Sequence, residues 1–455
     1  MTSEPRTIAA LARALRARKV TSVAVTERCL AAIAQRNPAL NAFIAVLHEE
    51  ALAQARAADE ELAGGRDRGP LHGIPISLKD IVDLRGVATT AASRVRQHHI
   101  AADDATVVAR LRAAGCVFVG KTNLHEFALG TTNEDSAYGP ARHPLDPARS
   151  PGGSSGGSAA SVAADMAYGS VGTDTGGSVR IPAAACGLVG LKPSFGDVPT
   201  DGVIPLSFTM DHVGPIARTV EDAALLYAAM RGGQIPESPR VGIRPHSDPV
   251  RLGVLRGYFT ALLDRQVGSA FDALCARLSD SGAVLEDVTI AHTGDISPIY
   301  THIGLSEAAA FHARALESRP DDYTPNVRLR LEMGRYILAE DYVRALRGRD
   351  VLAEEVNHAL RGRDGLLLPS LAVPAFKIGF DTVRIGSVEE PIRNLTLRLT
   401  QLFNVTGHPA ITMPCGATAE GLPVGGQLVG HFGDTPALLQ LAAQLEPTFA
   451  SAGTP

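Results

Sequence analysis

The 455-residue chain contains no tryptophan and only five lysines, and aromatic residues make up 5% of it. So few aromatics leave no obvious stacking platform for a flat ligand or a nucleobase. Cysteine is sparse too: Cys29, Cys116, Cys186, Cys275 and Cys415 are odd in number, scattered, and form no C-x-x-C pair. That argues against a disulfide framework or a thiolate zinc site and fits reduced thiols in a cytoplasmic protein. No H-E-x-x-H or comparable ligand spacing occurs, so no metal is expected. No apolar run approaches the ~18 residues of a membrane span. The opening MTSEPRTIAALARALRARKV lacks the apolar core of a signal peptide. An excess of one charge is also missing: the net charge of −5 gives no general reason to expect nucleic acid or an anionic membrane as partner.

Lysine is scarce against a background of 38 arginines. Arginine serves wherever a generic positive charge suffices, so Lys19, Lys79, Lys121, Lys192 and Lys377 are candidates for what arginine cannot do, such as losing a proton near neutral pH. Along the chain, apolar spacing over 7–34 (Ile8, Leu11, Leu15, then Val25, Cys29, Ile33) predicts a helical hairpin that Asn37-Pro38 closes. A long helix is expected over about 47–64, ended by Gly64-Gly65. From 74 onward short apolar runs bounded by glycine and proline (IPISLKDIV, CVFVGK, MAYGSVGTD, GLVGLKP) alternate with helix-like segments such as TVVARLRAAG and SAASVAADM, the texture of an α/β domain. A helix-rich stretch spans about 260–365, and strand-like LLLPSLAVP, HPAITMPCG and PVGGQLVG follow it. No linker or repeat divides the chain, so a single large α/β domain is expected, a central mixed twisted sheet surrounded by helices. Its parts are a helical 1–70, a core 71–230, a variable helical insertion 235–365 and a return to the sheet over 366–455.

SPGGSSGGSAA (150–160) concentrates glycine and serine in the middle of the chain. A linker is disfavoured because an apolar, alanine-rich helix follows at once. A phosphate loop is suggested elsewhere by GCVFVGKT (115–122), which satisfies G-x-x-x-x-G-K-[ST] with Lys121 and Thr122. There the four middle residues are strand-like where an open loop is required, so a helix–glycine–strand–turn corner is the bland reading. Gly152 to Gly156 match G-x-S-x-G, but ARHPLDPARSP supplies none of the strand that a nucleophile elbow needs. GTDTGGSVR (172–180) is more informative. Thr175, Gly176, Gly177 and Ser178 can gather several backbone N–H groups beside a serine hydroxyl, the makings of an oxyanion hole. Lys79 ends the apolar run IPISL, where burial would lower its pKa and let it take a serine proton. His72, His125 and His212 raise a Ser-His-Asp alternative that no local context singles out. Asp174 and Arg180 are expected to brace the loop by pairing, and Lys121 and Lys192 to be structural residues in turns.

At LHGIPISLKD (71–80), GGSSGGSAA (152–160) and GTDTGGSVRIPAAACGLVGLKP (172–193), the chain resembles the amidase signature family. The resemblance continues through VGKTNLHEFALG (119–130), FTMDHVGPIARTVEDAALL (208–226), FNVTGHPAITMPCG (403–416) and GLPVGGQLVG (421–430). Three motifs occur in order, with 75 residues from Lys79 to Ser154 and 24 from Ser154 to Ser178. The resemblance implies a Ser–cis-Ser–Lys triad: Ser178 as nucleophile, Ser154 as proton relay across a cis peptide bond, and neutral Lys79 as base, with Ser155 in support. The Thr175–Ser178 backbone would hold the oxyanion. Phe127, Ala128, Leu129, Gly130 and Thr131 match the family segment that lines the acyl-side cleft, with packing as the alternative role for each. No cofactor is implied, and a homodimer is one possible assembly.

Two branches compete. Arg349 sits where the glutamine-hydrolysing component of tRNA-dependent amidotransferases has an arginine for the glutamine carboxylate. That branch also has an acidic residue seven positions before the asparagine matching Asn404, where this chain has Leu397, and a tyrosine-rich segment reduced here to Tyr342. SEAAAFHARAL and RLRLEMGRYILAEDYVRAL resemble the stand-alone hydrolases, implying a small amide, ester or carbamate substrate. A P-loop nucleotide-binding protein is the alternative outside the family.

Overall fold

Ile8, Leu11 and Leu15 are buried along one side of helix Ile8–Arg16, whose first turn is capped by the Thr7 hydroxyl accepting from the Ala10 amide. The following helix, Ser22–Leu40, runs straight through the predicted stop at Asn37-Pro38. So close to the C-terminus, Pro38 costs little more than the bond its missing N–H would give to the preceding turn. Asn37 uses its side chain beyond the helix, accepting from the Phe43 amide at 2.8 Å, and the true end is Asn41 in the left-handed conformation. Helix His48–Ala63 then closes at Gly64 as expected.

The computed structural model describes residues 5–233 and 249–450; positions 235–248 of the expected insertion lie outside the described residues. The strands among the described residues are β1 (Phe43–Val46), β2 (Pro75–Lys79), β3 (Val117–Thr122), β4 (Gly169–Asp174), β5 (Val189–Lys192), β6 (His212–Ala217), β7 (Arg251–Leu255), β8 (Val284–Val288), β9 (Gly365–Pro369), β10 (Thr382–Ile385), β11 (Val388–Pro391), β12 (Ala410–Ala417) and β13 (Pro423–Val429). Eleven form one mixed sheet in the order β1-β3-β2-β4-β6-β5-β12-β13-β9-β7-β8, and β10 and β11 make a separate hairpin. The result is one α/β domain, a large mixed sheet flanked by helices.

The central strands are buried on both faces, and their side chains divide by the two-residue period of a strand. In β3, Val117 and Val119 pack with Cys29, Leu30 and Ile33 of helix Ser22–Leu40, while Phe118 joins the cluster that holds Val107, Val108 and Leu111 of helix Thr106–Ala113. All five cysteines are free and buried. The expected helical insertion, 235–365, also contains β7 and β8, a parallel pair joined by helix Arg265–Asp280, which extend the sheet beyond β9. Such short strands around a helix form a βαβ unit whose signal the surrounding helices swamp. Helices Ile296–Ser318, Pro325–Gly334 and Ala339–Leu360 stack together in the same stretch.

β2 lies parallel to both β3 and β4, with Leu78 opposite Lys121 and Val171. Lys79, Thr173 and Asp174 are therefore brought together at the carboxyl ends of neighbouring parallel strands, the edge where α/β sheets place their sites.

Candidate active site

Each predicted triad residue sits on a different element at that edge. Lys79 closes β2. Ser154 lies on the glycine-rich loop just ahead of helix Gly156–Ala163. Ser178 lies on the loop between β4 and helix Arg180–Ala185. The Lys79 Nζ is 2.8 Å from Ser154 Oγ and 2.8 Å from Thr173 Oγ1, fully shielded from water. The Gly153–Ser154 peptide bond is cis. The two serine loops are sewn together by Ser155, whose amide donates to the Ser178 carbonyl at 3.3 Å and whose hydroxyl donates to the Thr173 carbonyl at 3.2 Å. Ser178 is 5% exposed, while Ser154 and Ser155 are fully buried, so of the three serines it is the one in reach of a substrate.

Burial pulls the Lys79 ammonium down from 10.5 to about 7, against the opposing pull of the Asp174 and Asp211 carboxylates. A neutral amine has two N–H groups and a lone pair. It can donate to Thr173 while accepting the Ser154 proton.

The loop from Asp174 to Ser178 is clamped by the side chains around it. Asp174, fully buried, accepts from the Val179 amide at 3.1 Å and pairs with the Arg180 guanidinium at 2.9 Å. Arg180 also donates to Asn404 Oδ1, Gln427 Oε1 and the Thr400 carbonyl, and Asn404 Nδ2 returns a bond to Asp174. These donors hold the Asp174 carboxyl well below the usual carboxylate range despite its burial. Thr175 Oγ1 donates to Asp211 at 2.5 Å, and Thr400 Oγ1 donates to the Gly176 carbonyl at 2.5 Å. Gly177 has φ +140°, and a Cβ there would collide with Thr400 Oγ1 and Ile181, so only glycine fits. Among the described residues no acceptor takes the amides of Gly176, Gly177 or Ser178. A row of free N–H groups beside a serine hydroxyl can stabilise a developing oxyanion.

The acyl-side segment divides. Phe127 packs edge-on to His312, centroids 4.3 Å apart, in a role of packing. Ala128 borders a small cavity with Thr173, Thr175, Phe208 and Asp211. Leu129 offers its carbonyl to Arg330, Gly130 leaves room for the His125 ring, and Thr131 bonds Thr396 and lies against Gly153. Sequence reasoning gave no role to Thr173, Asp211, Tyr300 or Thr400. Thr173 and Asp211 stand inside the quoted motifs, where their types gave the only signal; Tyr300 and Thr400 carry none.

The competing readings are resolved locally. Lys121 and Thr122 belong to β3, and Lys121 pairs with Asp80 at 2.9 Å with both side chains buried, so no phosphate loop exists there. Lys121 and Lys192 are strand residues, where turns were expected: β3 runs through Lys121 and β5 ends on Lys192, and both lysines are fully buried. No strand leads directly into Gly152. His72 stands against Glu61, His125 Nε2 lies 3.2 Å from Asp135, and His212 Nδ1 faces the Met210 carbonyl; among the described residues none bonds a serine of the site through its ring. Among the described residues no group of three or more histidine, cysteine or acidic side chains is placed to hold a metal ion. No helix among them is long and apolar enough to cross a membrane.

A family model described as Amidase matches residues 24–439. An amidase from Pseudomonas putida is 41% identical over 429 residues, spanning 91% of this chain and 90% of its own. A glutamyl-tRNA(Gln) amidotransferase subunit from Koribacter versatilis (strain Ellin345) is 36% identical and covers 98% of each chain. The crystal structure of an amidase superposes with a TM-score of 0.91 at 36% identity, over 97% of this chain and 99% of that one.

Proposed function

The chain belongs to the amidase family, whose members act on small amides, and from that premise we propose that it is a stand-alone hydrolase using Ser178, Ser154 and Lys79 as its triad. The observation that carries the proposal is a water-free lysine, near neutrality in its ionisation, bonded to a serine on a loop tied to the Ser178 loop. Ser178 Oγ attacks the amide carbonyl as its proton passes to Ser154, while Ser154 gives its own to neutral Lys79. The negative oxygen settles on the amides of Gly176, Gly177 and Ser178. As the C–N bond breaks, the proton held by Lys79 returns through Ser154 to the departing amine. A water then enters, loses its proton along the same path, and releases the acid from Ser178. Esters and carbamates present the same carbonyl to the same groups and fall within this chemistry.

The amidotransferase reading has close relatives in its favour. Against it stands Leu397, at the position where the resemblance to that branch calls for an acidic residue. Its Cδ2 lies 2.8 Å from where a Cβ on Gly176 would be, beside the Tyr300 hydroxyl, so an uncharged side chain stands there beside the oxyanion loop. Arg349, the counterpart of that branch's glutamine-binding arginine, has Asp350 at 3.9 Å as its ion-pair partner.

The test is covalent trapping. A sulfonyl fluoride is expected to modify Ser178, located by peptide mass spectrometry, and to do so far more slowly in Lys79→Ala. Modification at Ser154 or Ser155 that ignores Lys79 would refute the assignment.

A further inference from the structure

Lys121 is one of five lysines in an arginine-rich chain, and it lies fully buried on β3, the strand beside Lys79. Its Nζ lies 2.9 Å from Asp80 Oδ1 and donates to the Ala88 carbonyl at 3.3 Å and to Thr89 Oγ1 at 3.2 Å. Three oxygens around one nitrogen suit the three protons of an ammonium and not a planar guanidinium. The other Asp80 oxygen accepts from the Thr90 amide at 3.0 Å and from the Thr90 hydroxyl, which itself accepts from the Ala92 amide at 3.1 Å. The Asp80 carbonyl accepts from the Ala91 amide at 2.9 Å. Every residue from 88 to 92 is thus tied to this one buried pair.

That grip holds an unfavourable backbone. Ala91 and Ala92 have φ +54° and +55°, and Phe127 and Ala128 have φ +50° and +60°, four residues with a Cβ in the left-handed region. Such residues persist only where their surroundings over-determine them. The two turns meet where the Phe127 amide donates to the Ala91 carbonyl at 3.0 Å. Just before Phe127, the His125 amide donates to the Ser154 carbonyl at 3.0 Å, and Ser154 Oγ lies 2.8 Å from Lys79 Nζ. Lys79 in turn precedes Asp80 in the chain. The bonds therefore close a ring, from Asp80 to Ala91, Ala91 to Phe127, His125 to Ser154, and Ser154 back to Lys79. The ring passes through both left-handed turns, and Lys121 anchors it from outside.

We propose that Lys121 and Asp80 are positioning residues: their buried pair fixes the turn at 91–92 and, through Phe127 and His125, sets the separation of Lys79 from Ser154. Both are buried out of a substrate's reach, so they act through the contact between base and relay. This deepens the hydrolase reading and rests on it.

Lys121→Met alone strands a buried carboxylate and endangers the fold, so the test pairs it with Asp80→Asn and removes both charges together. On a small amide this double variant is expected to lose kcat by about tenfold or more, with KM within about twofold, because a displaced base slows proton transfer and leaves binding alone. The sulfonyl fluoride should label its Ser178 more slowly by the same factor. Adding Ala91→Gly and Ala92→Gly should restore several-fold of the lost kcat, because glycine takes a left-handed φ without being held there. A pair that serves only the fold predicts no such rescue. Thr90→Val keeps the shape and removes the hydroxyl between Asp80 and Ala92. It should cost several-fold in kcat at unchanged KM, and it carries the test if the double variant does not fold. Either variant, folded and with kcat within about twofold of the wild type, would overturn the proposal. So would a loss confined to KM, or a loss in the double variant that the two glycines leave untouched. Wild-type Ser178 that does not label at all would strike the hydrolase reading instead.

Discussion

Lys79 is the residue on which the proposed mechanism can be broken most cleanly. Its amine is fully buried, and desolvation brings it to about 7, where the ordinary value is 10.5. Only the neutral form can accept the Ser154 proton. One pH unit below that value about a tenth of the molecules are competent, and two units below about a hundredth. The value of kcat/KM on an anilide should therefore fall about tenfold per unit below pH 7 and level off above it. Lys79→Ala should lose the limb and drop the plateau by about 10⁴-fold, since triad members act as a unit.

Asp211 is the group that must be separated from this. Burial raises its carboxyl to about 6, and its oxygens accept from Thr175 Oγ1 and from the amides of Leu206 and Ser207. Its negative charge also holds up the Lys79 pKa. In Asp211→Asn the limb should consequently survive and move to lower pH. The assay is initial rates from pH 5 to 9 on enzyme shown to remain folded throughout. A flat profile across that range, or a limb left unchanged in Lys79→Ala, would refute a lysine base.

The other predictions probe the leaving group and the clamp. Lys79→Ala should impair amides more than esters of the same acid, because an expelled amine must be protonated and an activated alkoxide much less so; equal losses in kcat/KM would dissolve that division of roles. Arg180→Met should destabilise the fold by about 3–5 kcal/mol in urea unfolding, because it strands the fully buried Asp174 carboxylate; a cost below about 1 kcal/mol would show that the amides and Asn404 suffice for it.

What was legible in the sequence depended on how locally each feature is encoded. The serine loops could be read because the chain spells them out: glycine beside glycine, then serine, where no side chain would fit. Gly177 shows why, with φ +140° and Thr400 in the space a Cβ would fill. The burial of Lys79 was legible only as a direction, from its place at the end of IPISL. Its degree depends on β3 and β4 lining up in parallel on either side, a fact of strand order and not of spacing. Pro38 misled because a proline's effect depends on how many bonds lie beyond it, and near a helix end almost none do. The illegible part is what packs against the Gly176–Gly177 loop. Tyr300 comes from helix Ile296–Ser318, far from the motifs, and Thr400 from the turn just ahead of helix Gln401–Val405, each an ordinary residue in its segment. They acquire meaning only when packing sets Tyr300 against Gly176 and Thr400 against Gly177. The residues of this candidate site are therefore written in contiguous motifs, while what packs against them comes from outside those motifs, and a single sequence exposes the first while hiding the second.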